Sequence, residues 1–186
     1  GVDRILAFLI PAEELNILGF HREVLNWEGN IKTFTWEISA LDSVESVIKL
    51  EGPGIESEPQ LGAVDLMYGG EVFRIKLVED ASGDRIDASW LGEEVIEKLL
   101  NISDPRNNPN LKYIPGTATR ENLLAKKQNL VFCLHPISVD QITNTADQGG
   151  HLPPKSTWVE PKLRSGLFVY EFGNHDHPEY KPYGQR

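Results

Sequence analysis

The sequence predicts an α+β domain, a mixed or mostly antiparallel sheet with helices packed on it. Three observations carry that prediction. Strand-like and helical stretches mix without the regular βα alternation of a doubly wound sheet. Two apolar runs, at 63–68 and 72–78, flank Gly69-Gly70, the pattern of an antiparallel hairpin. The 186 residues are 40% hydrophobic and 25% charged. Such a chain buries roughly two-thirds of its unfolded surface, so a core forms without metals or disulfides.

In order along the chain, residues 5–10 read as a fully buried strand, broken by Pro11 and two glutamates. Residues 21–25 suggest a strand, 33–41 a helix and 46–50 another strand. The Gly-, Pro- and Glu-rich stretch 51–59 reads as a loop. In the second arm of the hairpin, Phe73, Ile75 and Leu77 alternate with Arg74 and Lys76, giving one buried and one wet face. Leu91, Val95, Ile96, Leu99 and Leu100 repeat at helical spacing within 89–101. The turn-rich run 104–109 ends that helix. A short strand over 112–114 and a helix from a Thr119 cap to Lys127 follow. The compact apolar run 130–134 reads as a central strand, which makes Cys133 a core residue.

Ser138 and Gln141 have the spacing of a capping box, and Gly149-Gly150 supply the helix stop. Residues 167–172 suggest a last strand. One domain is expected over 1–172 and a mobile tail over 173–186. Trp27, Trp36 and Trp90 are expected in the core, with Trp158 flanking the loop before the last strand.

Charge narrows the function classes. The formal net charge is −10, from 28 acidic and 18 basic residues. That field opposes a phosphate backbone or an anionic membrane, so neither nucleic acid nor membrane is an expected partner. No run approaches the roughly 18 apolar residues of a membrane span. A single cysteine, Cys133, excludes an internal disulfide and fits a cytoplasmic location. The only methionine is Met67, so a natural start upstream of Gly1 is expected.

Against this background the segment 151–166 reverses sign. It carries Lys155, Lys162 and Arg164 against Glu160, with Ser156 and Thr157 beside Lys155. Pro153, Pro154 and Pro161 stiffen the backbone that presents them. Cations and hydroxyls on a stiff loop suit a phosphate or carboxylate. The upstream glycines of a P-loop are missing, which rejects a Walker motif. The same residues also suit surface ion pairs on a packed connection.

Several blocks resemble a known family. Leu134-His-Pro-Ile-Ser138, Ala146-Asp-Gln-Gly-Gly150 and the run from Leu152-Pro-Pro-Lys-Ser-Thr-Trp to Pro161-Lys-Leu-Arg-Ser-Gly-Leu167 are three of them. Upstream, Leu9-Ile-Pro-Ala-Glu-Glu-Leu-Asn-Ile-Leu18, Phe20-His-Arg22 and Ile102-Ser-Asp-Pro-Arg106 add to the likeness. Together they resemble the C-terminal part of the bacterial and archaeal family catalogued as domain of unknown function 1015. Leu152 stands where that family has Met, and Gln148 with an added glycine alters its A-D-A-G. The family's D-G-H-H-R motif, similar to one in the ParB and sulfiredoxin superfamily with its free-serine kinases, is absent. The resemblance therefore implies a C-terminal part completed by an N-terminal half, with whatever chemistry that motif supports lying elsewhere.

Two functions follow as expectations. One is the anion-binding half of a phosphotransferase-like protein acting on a small phosphorylated or carboxylate metabolite, not a complete enzyme by itself. Lys155, Ser156, Thr157, Lys162, Arg164 and His135 would hold the ligand. The other is a non-catalytic ligand-binding or interaction domain that docks on the N-terminal half or a partner, through an apolar patch at 5–10. The cofactor is left open and no metal site is expected. His175 and His177 lie in the tail, and Asp104-Pro-Arg106 reads as a turn.

Overall fold

The computed structural model describes residues 7, 9–81, 83, 85–162 and 166. They belong to two compact units, Asn16–Glu160 and the pair Gly1–Leu15 with Pro161–Arg186.

The larger unit is α+β, and every strand pairing in it is antiparallel. Its sheet contains β2 (Phe20–Val24), β3 (Val44–Lys49), β4 (Ala63–Tyr68), β5 (Glu71–Leu77), β6 (Leu111–Pro115) and β7 (Leu130–Leu134), in the order β3-β5-β4-β7-β2-β6. The hairpin forms at Gly69-Gly70, both at positive φ (64° and 86°), as a two-residue turn requires. A separate two-stranded ribbon pairs β1 (Asn16–Leu18) with β8 (Trp158–Glu160). That ribbon was not foreseen. The segment 151–166 is therefore not all loop, because Trp158-Val-Glu finds its ladder partner about 140 residues away, beyond the reach of local pattern.

Both faces of the sheet are covered. Leu130, Phe132 and Leu134 on β7 join Val64, Leu66 and Ile75 under the helices α1 (Ile31–Ser39) and α2 (Asp87–Trp90). Helix α2 continues as a π-helix, Leu91–Leu99, whose buried Leu91, Val95 and Ile96 fit its wider turn. Leu100 N–H donates to Val95 O, five residues back, at 2.9 Å. On the opposite face Met67, Val72, Val131 and Cys133 pack with Leu123 of α3 (Arg120–Leu124). That second cover corrects the wet face expected of β5. Lys76 is exposed, but Arg74 is largely covered and pairs with the fully buried Asp65.

Helix α4 (Val139–Asp147) starts at the Ser138–Gln141 capping box and stops at Gly149, φ 71°. The Thr119 cap is also present, although α3 ends at Leu124, short of Lys127.

Trp36 is 68% exposed, not core. Phe34 and Ile38 face the sheet, and two residues along a helix is about 200° of rotation, which points Trp36 to solvent. In the smaller unit, Ala7, Leu9 and Ile10 form no strand and Leu9 is 91% exposed, because no described strand pairs with them. The rest of the run 5–10, the strand expected at 167–172 and the tail lie outside the described residues.

Phe132→Ala is expected to destabilise the protein by about 3–5 kcal/mol, since the ring is wholly enclosed. Trp36→Ala should change stability by less than about 0.5 kcal/mol. Urea unfolding of both variants measures the contrast.

Candidate functional site

The turn before β8 is built by its prolines and by one strained residue. Ser156 is buried, and its Oγ donates to Pro153 O at 2.7 Å. Lys155 adopts φ 56°, a left-handed conformation that costs a residue other than glycine about 1 kcal/mol. Its side chain is exposed, with Nζ 5.6 Å from the Phe20 ring centroid. Trp158 meets the same ring edge-on at 5.6 Å.

Beneath this turn lies Arg22. Strand β2 places it opposite Phe132 on one side and Tyr113 on the other. The side chain is buried, with its guanidinium 4.5 Å from the Tyr113 ring centroid. Nη1 donates to Phe20 O at 2.9 Å and Nη2 to Pro154 O at 3.3 Å. Among the described residues no carboxylate pairs with it. Burial lowers its pKa to about 10.

Buried charges on the other face of the sheet are matched. Asp65 receives Arg74 and Arg120, and Glu23 receives Lys126 and Asn129. Arg22 differs by meeting only carbonyls and a ring. Its neighbour His21 points to the opposite face and accepts the Leu134 N–H on Nδ1 at 3.2 Å. Burial, with Arg22 and Arg120 adding repulsion, pushes the His21 pKa down to about 4.

His135 and Ser156 line a common cavity of about 10 Å³ together with Phe20, Gln141 and Asp87. That is room for about one water. His135 Nδ1 lies 3.2 Å from Pro59 O, and a carbonyl only accepts, so Nδ1–H is the donor of that contact. A cleft of about 570 Å³ shares Leu61 and Asp87 with this cavity. Its wall carries both signs, with Arg74, Lys76 and Arg85 against Glu45, Glu79, Asp80 and Asp87. Burial raises the Asp87 carboxyl, and the Gly62 N–H and Arg85 partly counter it.

Of the residues singled out in the sequence, Lys155, Ser156 and His135 gather around Phe20 and the small cavity. Thr157 is half-buried and leads into β8. Lys162 is exposed and belongs to the smaller unit; Arg164, His175 and His177 lie outside the described residues. Among the described residues no cluster of His, Cys, Asp or Glu suits a metal ion, and no helix is long and apolar enough to cross a membrane. Asp104 forms the expected turn, accepting from the Asn107 side chain at 2.8 Å.

Arg22 was missed, although an arginine sharing a strand face with Phe20 and Val24 is a readable signal. Asp87 and Arg85 were also missed. Nothing in the local sequence marks them, because Gly62, Arg74 and Lys76 reach the same cleft from the β4–β5 hairpin and the turn before it.

No protein-family model and no curated protein matches the chain. It is similar in structure to a free serine kinase in complex with AMP, at a TM-score of 0.44 and 15% identity, over 80% of this chain and 55% of that one. A point mutant of such a kinase in complex with ADP has the same values. The chain thus spans about half the length of the solved chains it matches. The family resemblance rests on the sequence motifs.

His21 predicts a pH dependence. Its pKa is about 4 in the folded chain, against 6.5 for a solvated histidine, so between these values the unfolded chain binds more protons. Its contribution to stability is complete above pH 6.5 and is lost as pH falls toward 4. The shift corresponds to about 3 kcal/mol. Ring titration by NMR should show His21 neutral down to about pH 4, and urea unfolding across this range should show the loss.

Proposed function

We propose that the chain binds a small phosphorylated or carboxylate metabolite at the turn formed by residues 154–157. In this reading it serves as the anion-binding part of a phosphotransferase-like protein and is not a complete enzyme alone. The N-terminal half implied by the family resemblance would supply the rest. The observation that carries the proposal is Arg22, a buried guanidinium whose described partners are carbonyls and a ring, under a turn that presents Lys155. A buried cation without a counter-charge is costly, and an incoming anion offsets that cost. Thr157 offers a hydroxyl, the Ser156 Oγ–H is already donated to Pro153 O, and the His135 ring lies nearby. Phosphoryl transfer depends largely on positioning and charge stabilisation, which such a wall supplies.

The left-handed Lys155 makes the test specific. Glycine adopts that conformation without strain, so Lys155→Gly should raise folding stability by about 0.5–1 kcal/mol. The same variant should weaken anion binding by about tenfold, equivalent to about 1.4 kcal/mol. Calorimetric titration with inorganic phosphate, phosphoserine, serine and AMP reads the affinity, and Arg22→Lys, Lys162→Ala and Arg164→Ala are measured alongside. Absence of anion binding by the wild-type chain, or unchanged affinities in both Lys155→Gly and Arg22→Lys, overturns the reading.

A second reading is a non-catalytic module that docks through its apolar N-terminal segment, and the exposure of Leu9 favours it. Light scattering should then show self-association that Leu9→Ser abolishes. A monomer at all concentrations counts against it.

A further inference from the structure

The large cleft contains a donor and an acceptor that no described residue satisfies. Asp87 is 5% exposed and lines the cleft. Its Oδ2 accepts the Gly62 N–H at 2.9 Å, while Oδ1 has no hydrogen-bond partner among the described residues. Arg85 Nε lies 3.8 Å from the Asp87 carboxylate and donates to none of them. That separation is too long for a hydrogen bond. The gap is held from both sides. Arg85 Nη1 donates to Val78 O, and its backbone N–H donates to Asp80 Oδ2 at 2.7 Å. Leaving buried polar atoms unsatisfied is costly, so a group serving both is favoured.

We propose that the cleft binds a small, neutral polyhydroxyl compound, one hydroxyl of which bridges Arg85 Nε and Asp87 Oδ1. A hydroxyl both accepts and donates. An oxygen about 2.8 Å from each of two atoms separated by 3.8 Å forms an ordinary bent bridge. An ammonium offers Arg85 no acceptor, and a carboxylate offers Asp87 no donor, so neither satisfies the pair. The volume of about 570 Å³ suits a ligand of sugar or nucleoside size. Gln60, Lys76, Glu45 and Glu79 supply further donors and acceptors of both signs, which favours a neutral ligand over a strongly charged one. Arg85 is the more exposed half, with a quarter of its side chain open to solvent, and release of its Nη1 from Val78 O would let its outer torsions open the pair to the ligand. Neither Arg22 nor Lys155 takes part, so this site stands or falls apart from the anion site.

NMR titration of the full chain with ribose tests it, using tetrahydrofuran as a ring of similar size without hydroxyls. The Gly62 amide and the Asp87 side-chain carboxyl should shift saturably with ribose and not with tetrahydrofuran. Asp87→Asn turns the acceptor into a donor at constant size and should weaken ribose binding at least ~10-fold. The wild-type comparison needs no variant, so it holds even if Asp87→Asn does not fold. Silence of both resonances toward ribose up to ~50 mM, as expected if only a water bridges the pair, overturns the proposal. An equal response to tetrahydrofuran also overturns it. Ribose is uncharged, so its binding does not report on the Arg22–Lys155 turn.

Discussion

Strand β7 is buried at all five positions, and its burial demands a cover on each face of the sheet. Leu130, Phe132 and Leu134 meet that demand under α1, α2 and the π-helix, while Val131 and Cys133 meet it against Leu123 of α3. A strand enclosed this way fixes its neighbours β4 and β2, since a slip of one residue would exchange the two clusters. The same register sets His21 and Arg22 on opposite faces and places the Leu134 N–H on His21 Nδ1. The candidate site thus inherits its geometry from the core rather than from its own loop.

Charge is distributed by the same logic. Asp65 and Glu23 lie deep in the sheet and hold cations from β5, α3 and the loop that follows α3. These pairs satisfy charges that burial would otherwise make prohibitive. Arg22 and the Asp87–Arg85 pair depart from the pattern, one with carbonyls in place of a carboxylate and the other with a gap. Local rules broken without internal compensation are where ligands are expected. The small cavity and the large cleft meet at Leu61 and Asp87, so the hydroxyl site adjoins His135 and Ser156.

Much of the larger unit was legible because its signals are local. The Gly69-Gly70 hairpin, the Ser138–Gln141 capping box and the five-residue run of β7 each carry their instruction within a few residues. The β1–β8 ribbon was not legible, because a three-residue strand has no periodicity and its partner is far away in sequence. The helix at 89–101 was recognised but not its π-helical width, which depends on what Leu91, Val95 and Ile96 pack against. Trp36 misled because hydrophobicity predicts burial only once the helix face is known.

The sequence by itself determined the α+β class, the hairpin, the helix caps, and the local reversal of charge in the segment 151–166. These follow from bonded geometry and nearest-neighbour chemistry, which act over one turn or one strand. Tertiary structure alone decided that Arg22 lies under Lys155, that His135 and Ser156 share a cavity, and that Asp87 faces Arg85 at a distance too long for a hydrogen bond. The first two relations join separate segments, and the third depends on the Gly62 N–H and on a cleft wall drawn in part from the β4–β5 hairpin. The burial that makes each charge chemically distinctive exists only after the sheet has closed around it.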